Sequence, residues 1–217
     1  MDLRTNYLGL QLVHPFFAGA SPLADDLDTV RRLEDAGAAA IVMRSLFEEQ
    51  IAQEANSRWR FVDFLDGLSP EARGFLPDAS TYHLAPDAYL EHLRRVKAAV
   101  AVPVIASLNG TTRAGWIHHA RRMEQAGADA IELNVYAVAA DPEHSGAGVE
   151  EATLELLSAV VAVVTVPVAL KISPFYSSLA HFAAAASRAG AAGLVLLNRL
   201  FQPAIDPPAL EVQRVLH

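Results

Sequence analysis

Three times in this sequence a helix-like stretch runs into Ala-Gly-Ala and then into a short, almost wholly apolar segment with a polar end. Ala36-Gly37-Ala38 leads to Ala40-Ile41-Val42-Met43 and then Arg44-Ser45. Ala126-Gly127-Ala128 leads to Ala130-Ile131-Glu132-Leu133 and Asn134, and Ala189-Gly190-Ala191 leads to Gly193-Leu194-Val195-Leu196-Leu197 and Asn198-Arg199. A glycine just past the last helical residue is the usual left-handed cap. A continuous apolar run after it suits a parallel strand covered on both faces. The repeat therefore reads as helix, tight turn, buried strand, with a polar residue at the strand's C-terminal end. In a parallel α/β barrel, active sites are built at that end.

The same rhythm extends along the chain. Leu8-Gly9-Leu10-Gln11-Leu12-Val13 alternates around a glycine, as a small hairpin does, and residues 14–21 read as a first buried strand. Helices are expected over about 26–35, 86–100, 113–125, 149–164 and 179–188. Val-Pro-Val occurs at 102–104 and again at 166–168, each opening an apolar run. Proline is tolerated at a strand's first residue. The count is about six β/α units of a TIM (β/α)8-type barrel, in one domain over residues 1–217. No seventh buried strand is read after Arg199, so a barrel lacking its C-terminal units is the expectation, with apolar edges at the first and sixth strands. Residues 46–84 interrupt the rhythm with Trp59, Phe61, Phe64, Phe75 and Tyr82 among glycines, prolines and charges. An insertion this long after a barrel strand reads as a lid.

Composition narrows the function classes. The chain is 52% apolar and 19% charged, as suits a sizeable core, and has a formal net charge of −8. That balance disfavours nucleic acid or an anionic membrane as partner. The sequence contains no cysteine, which removes disulfides, thiolate metal sites and a thiol nucleophile. Without a charged leader or a long apolar span, a soluble cytoplasmic protein is expected.

The strand ends supply Ser21, Arg44, Ser45, Asn109, Asn134, Lys171 and Asn198. An Asn or Ser there can equally cap the next helix or complete a turn. Lys171 lies inside Val168-Ala169-Leu170-Lys171-Ile172. An unpaired ammonium is costly to bury, so this lysine must face a polar cavity or an anion. Glu132 shares a strand face with Asn134 by the two-residue period, and pairing with Lys171 is the structural reading of both. Asparagines and a lysine are poor metal chemistry, so no metal is expected. His118 and His119 are adjacent on a helix and do not face one site; with His181 they read as surface or packing residues. Tyr136, two residues past Asn134, is either a pocket wall or a proton donor.

In order, several segments resemble the dihydroorotate dehydrogenase family, and within it the dihydroorotate dehydrogenase-like branch. They are Leu8-Gly9-Leu10 with His14-Pro15-Phe16, Ala18-Gly19-Ala20-Ser21, and Ile105-Ala106-Ser107-Leu108-Asn109-Gly110. Ile131-Glu132-Leu133-Asn134, Ala169-Leu170-Lys171-Ile172-Ser173-Pro174 and Leu196-Leu197-Asn198-Arg199 follow, then Gln202-Pro203 and Ile205-Asp206. The resemblance implies a TIM barrel with FMN at the C-terminal mouth of its strands, and a place in pyrimidine biosynthesis. Ala20, Ser21, Ser45, Asn109, Asn134 and Lys171 would hold the cofactor, with Lys171 at the flavin's N1–C2=O edge. A cation there stabilises the anionic reduced flavin. Arg44, Asn134 and Asn198 would face a dihydroorotate-like substrate, and Lys171 and Tyr136 are the candidate catalytic residues. Family members often dimerise, so a homodimer is an expectation of the resemblance.

The departures are specific. Arg44 stands where the family has a lysine, which keeps the charge but changes its geometry. Ala137 stands where the family has its catalytic Cys or Ser, and Ala139 replaces a further asparagine. The glycine segments of strands seven and eight that bind the FMN phosphate have no counterpart. Slow or absent dihydroorotate oxidation is therefore expected. The competing readings are a Schiff-base barrel lyase that uses Lys171 and a non-catalytic barrel fragment.

Overall fold

The computed structural model describes residues 1–48, 86–110, 112–135 and 141–197, together with the backbone of 201–206 and 211–216. Five parallel strands form the central sheet in sequential order: β3 (Ile41–Phe47), β4 (Val104–Asn109), β5 (Ala130–Asn134), β6 (Val168–Ile172) and β7 (Gly193–Leu196). Helices alternate with them: α1 (Leu27–Asp35), α2 (Pro86–Ala99), α3 (Arg113–Gln125), α4 (Gly146–Val161) and α5 (Leu179–Arg188). This is the parallel, helix-alternating architecture of the TIM-barrel type. Helix α4 begins and ends three residues earlier than its periodicity suggests, because the Ser145 hydroxyl accepts from the Gly148 N–H and starts the helix there. Among the described residues, no helix is long and apolar enough to cross a membrane.

The Ala-Gly-Ala repeat is one turn used three times. Gly37, Gly127 and Gly190 take φ of 91°, 96° and 104°, a region that L side chains avoid. Each glycine N–H bonds a carbonyl three residues back, and the alanine after it bonds one five residues back: Ala38 to Leu33, Ala128 to Met123, Ala191 to Ala186. That is the Schellman closure, and it delivers the chain directly into the next strand.

Two glutamates extend this turn into a tertiary clamp. Glu34, two residues before the first repeat, accepts from the N–H groups of Ala101 and Val102 through Oε1, at 2.7 and 3.1 Å. Glu124, two residues before the second, accepts from Thr165 N, Thr165 Oγ1 and Val166 N at 2.6, 2.7 and 3.1 Å. Each carboxylate thus holds the Val-Pro-Val that opens a strand. The third repeat has Ser187 at this position. These hydrogen bonds hold the Glu124 carboxyl below its ordinary value, the Thr165 hydroxyl contributing most. Glu124→Ala is expected to destabilise the fold by about 0.5–1.5 kcal/mol, the net worth of an ordinary hydrogen bond, since its exposed donors turn to water. Because the folded value is depressed, wild type carries this stability above the unfolded glutamate value and loses it on acidification. Denaturant titrations should therefore show the two proteins converging as the pH falls.

Strand alternation divides the core. Ile41, Met43, Leu46, Val104, Ala106, Leu108, Ile131, Leu133, Val168, Leu170 and Ile172 pack outward beneath the helices with Leu93, Leu157 and Phe182. Val42, Ile105, Ala130 and Ala169 face the other way, into the concave interior, and Leu8 joins them. Leu8 reaches that position from a two-residue hairpin between β1 (Thr5–Tyr7) and β2 (Leu10–Leu12). Both turn residues have positive φ, 56° at Leu8 and 78° at Gly9, the pattern of a type I′ turn. A Cβ on Gly193 would lie 2.6 Å from Leu8 Cδ2, so the leucine closes the interior at the strands' N-terminal ends.

Three expectations need correction. Residues 14–21 do not form a full strand: Ala18 makes one parallel bridge to Ile41. Pro15 lacks an N–H, and a 3₁₀ turn (Pro22–Asp25) starts immediately after Ser21, so the ladder has room for little more. Strand β3 continues to Phe47, past its polar residues, so the interruption starts later than residue 46; residues 49–84 of the expected lid lie outside the described residues. After β7 the backbone forms an antiparallel hairpin, β8 (Phe201–Asp206) with β9 (Glu211–Leu216), as a separate two-stranded sheet. The sequence reading assigns nothing there. Phe16 and Leu196 are exposed.

Candidate functional site

A polar layer lies on the interior face just above the apolar floor of Val42, Ile105, Ala130 and Ala169. Parallel register builds it. Ser45 pairs with Ser107, Ser107 with Glu132, and Asn134 with Lys171. On β4, β5 and β6 the two-residue period suffices to bring Ser107, Glu132, Asn134 and Lys171 inward. On β3 it does not. Val42 pairs with Ile105 but Ser45 with Ser107, so β3 spends three residues where β4 spends two. This bulge turns Ser45 inward and sends Leu46, fully buried, outward among the helices; bulges re-aim side chains next to sites in this way.

The layer is connected. Lys171 Nζ lies 3.5 Å from Glu132 Oε1, with the lysine side chain 16% exposed and the glutamate 6%. The Ser107 hydroxyl donates to the same Oε1 at 3.4 Å. Ser45 and Ser107 share a hydrogen bond of 2.7 Å between their hydroxyls, and Asn134 Nδ2 donates to Ser45 Oγ at 3.5 Å. From α2, the buried Tyr89 hydroxyl donates to the Ser107 carbonyl and accepts from the Ser107 N–H, both at 3.2 Å. Ser107 is thereby fixed through backbone and side chain together.

Electrostatics follow from burial. Desolvation pushes the Glu132 carboxyl above its ordinary value, although the Lys171 ammonium and the Ser107 hydroxyl pull it down. Tyr7, stacked on Phe17 in the N-terminal hairpin, is pushed up to about 12 by burial and then by the Glu132 charge. Burial also raises Tyr89.

The expected site residues that lie among the described ones each have a definite place. Lys171 and Asn134 stand side by side at the C-terminal ends of their strands, and Ser45 is joined to Asn134. Asn109 ends β4 opposite Phe47 and is half-buried. Ala20 packs beside the interior cluster. Ser21 is the N-cap of the 3₁₀ turn, and its carbonyl accepts from the Ala24 N–H, so its backbone has the turn role weighed for it. Arg44 does not enter the connected layer: its guanidinium pairs with Asp25 of that turn at 3.0 Å. Tyr136, Ala137, Ala139 and Asn198 lie outside the described residues. His118 and His181 are exposed, and His119 is buried on α3, where desolvation lowers it. Among the described residues no group of three His, Cys, Asp or Glu could hold a metal.

The residues missed at the sequence level are Ser107, Tyr89 and Asp25. Ser107 carried a signal, being a hydroxyl in the apolar run Val104-Ile105-Ala106-Ser107-Leu108, two residues before Asn109 and so on its face. Tyr89 and Asp25 act across elements, and nothing in their own neighbourhoods marks them.

Comparison of the sequence with known proteins finds one family. The profile described as dihydroorotate dehydrogenase matches residues 2–206. The catalytic subunit of dihydroorotate dehydrogenase B (NAD(+)) from Thermoplasma acidophilum is 27% identical over 210 residues, covering 94% of this chain and 65% of that protein. The NAD-dependent dihydropyrimidine dehydrogenase subunit PreA of Escherichia coli K12 is 28% identical over 204 residues, covering 91% of this chain and 48% of PreA. The corresponding dihydroorotate dehydrogenase B subunit of Latilactobacillus sakei is 38% identical over 112 residues, 49% of this chain and 35% of its own. The chain spans between about half and two thirds of the length of the first two.

Proposed function

The chain belongs to the dihydroorotate dehydrogenase family, and on that premise we propose that it is an FMN-dependent oxidoreductase acting on a small dihydroorotate-like ring. The observation that carries this reading is Lys171. It is a cation on an otherwise apolar strand, ion-paired below to Glu132, and set beside Asn134 at the C-terminal end of the sheet.

The residues present fit an isoalloxazine ring. An ammonium and two amides, from Asn109 and Asn134, can meet its carbonyls and ring nitrogens, while Ala20 and the small floor residues Ala130 and Ala169 leave room for a flat group. FMN bound there supplies reversible two-electron redox chemistry. Lys171 would hold the electron-rich edge of the ring and stabilise negative charge on it. Asn109 and Asn134 would fix its orientation, Ser45 would position the Asn134 amide, and Ser21 would line the flavin beside Ala20. Arg44, Asn134 and Asn198 would face the substrate, and Tyr136 would move or hold its proton. Pyrimidine chemistry, a soluble cytoplasmic setting and a homodimer belong to the same reading.

The ion pair with Glu132 and the family membership favour this site over a free nucleophilic amine for Schiff-base chemistry. Purified protein titrated with FMN tests the proposal directly. A perturbed flavin absorption spectrum and quenched flavin fluorescence are the expected results. Unaltered FMN, with a borohydride-trappable carbonyl adduct on Lys171, would replace it by the lyase reading; neither signal would leave a non-catalytic barrel.

A further inference from the structure

In the reading above Glu132 only pairs with Lys171, yet it is the more buried charge of the two. Its side chain is 6% exposed, against 16% for Lys171. The lysine therefore stands nearer the mouth, and the carboxylate can act on a ligand only through it. Oε1 takes the ammonium at 3.5 Å and the Ser107 hydroxyl at 3.4 Å. Ser107 is in turn held by Ser45 and by Tyr89.

We infer that Glu132 is a positioning residue for Lys171, holding its ammonium at the mouth and taking up a proton when negative charge is seated against that ammonium. The inference rests on the flavin reading of the site and extends it to a coupled proton.

Glu132 shares its cation, Lys171, with whatever occupies the mouth. A ligand that gains negative charge at the mouth draws the Lys171 ammonium toward itself. Glu132 is then left in a place where burial already disfavours its charged form. A solvent proton joining the carboxylate restores neutrality, and no other bond is made or broken. Burial opposes an ionised Glu132, and the Lys171 ammonium and the Ser107 hydroxyl favour it. Tyr7 from the N-terminal hairpin and Tyr89 from α2 are the titratable groups that sense its charge, and neither supplies a positive one. Asp25 and Arg44, which also act on Tyr89, neutralise each other at 3.0 Å. Among the described residues, Lys171 from β6 is the cation that faces it.

The test compares the wild-type chain with Glu132→Gln, which keeps size and one acceptor but cannot ionise. With FMN bound, the flavin midpoint potential is measured against pH. A proton taken up with two electrons makes the equilibrium tenfold more favourable per pH unit, about 30 mV. Wild type should show this extra slope over the range in which Glu132 ionises, and Glu132→Gln should lack it. Parallel slopes would overturn the inference.

A second arm needs no flavin. Urea unfolding is followed against pH for wild type, Glu132→Gln, Lys171→Met and the double variant. Burial raises the folded value of Glu132, so its contribution is fully present below the unfolded value and is lost as pH rises through the folded one. Lys171→Met should enlarge that loss in wild type and leave the pH profile of Glu132→Gln unmoved. Equal effects in both backgrounds would show that the two groups do not act together and would refute the positioning role. If the wild-type chain does not bind FMN, the proposed function falls, and this arm alone decides whether Glu132 holds Lys171.

Discussion

Lys171→Met is expected to weaken FMN binding by about 10- to 100-fold, the equivalent of one lost charge-assisted hydrogen bond. It should also lower the midpoint potential of whatever flavin remains. Methionine fills the space of the lysine stem, so the effect isolates the ammonium from its packing. Two consequences are separable. At the mouth, the electron-rich edge of the ring loses its nearest cation, and the reduced form loses more than the oxidised form because it carries more negative charge. Below the mouth, Glu132 loses the partner that lies 3.5 Å away. A buried acceptor deprived of its donor costs about 1–3 kcal/mol, and Glu132 limits that cost by binding a proton. Fluorescence titration reads the first consequence, and denaturant unfolding above the ordinary glutamate range reads the second. If affinity and potential both match wild type while the fold is destabilised, Lys171 is a structural ion pair and the flavin site lies elsewhere.

That structural alternative was visible in the sequence together with the functional one, and the structure shows why both were legible. Glu132 and Asn134 sit two residues apart on β5, and Lys171 sits on the next strand with its own alternation. Once the Ala-Gly-Ala turn sets where β5 begins and Val-Pro-Val where β6 begins, parallel pairing brings these three together with little freedom left. The boundaries of α1 and α3 were legible for a related reason. Asp26 and Thr112 each supply a side-chain oxygen to an N–H three residues on, and the Schellman turn marks the other end.

What sequence could not reveal was set by contacts between distant elements or by a single added residue. Ser45 faces inward only because β3 bulges between Val42 and Ser45; strict alternation from Val42 would have sent it out and brought Leu46 in. The family resemblance gives Arg44 a substrate-facing role; its partner Asp25 comes from a 3₁₀ turn that no periodicity announces. That turn is itself fixed from α2, where His92 Nε2 lies 2.7 Å from the Ala24 carbonyl. Tyr89, on the same helix, reaches through the sheet to Ser107. The division of labour between the two ends of the strands is clearer for it. Glu34 and Glu124 clamp backbone where strands enter the sheet, while Glu132 is buried near where they leave it and meets a cation.

The second large effect concerns the chemistry beside Asn134. Ala137→Ser is expected to raise dihydroorotate oxidation by about 10²- to 10⁴-fold in FMN-loaded protein, the usual worth of a positioned general base. The reasoning starts from the proton. Oxidising the C5–C6 bond of dihydroorotate requires that C5 lose a proton as the hydride leaves C6, and an alanine methyl cannot accept it. The family resemblance puts the base three residues past the strand-end asparagine, which is Ala137 here. Wild-type turnover should therefore be slow, with a proton-transfer step that limits it and a correspondingly large isotope effect from deuterium at C5. Serine at 137 should restore rate and shrink that isotope effect together. Tyr136, the neighbouring hydroxyl, is the internal control. If wild-type turnover is already fast and Tyr136→Phe abolishes it, the tyrosine is the working base and Ala137→Ser will add little. If Ala137→Ser leaves a slow reaction slow, while FMN is bound and reducible by dithionite, then dihydroorotate is the wrong substrate, and the alanine belongs to a site shaped for a ring that gives up no proton there.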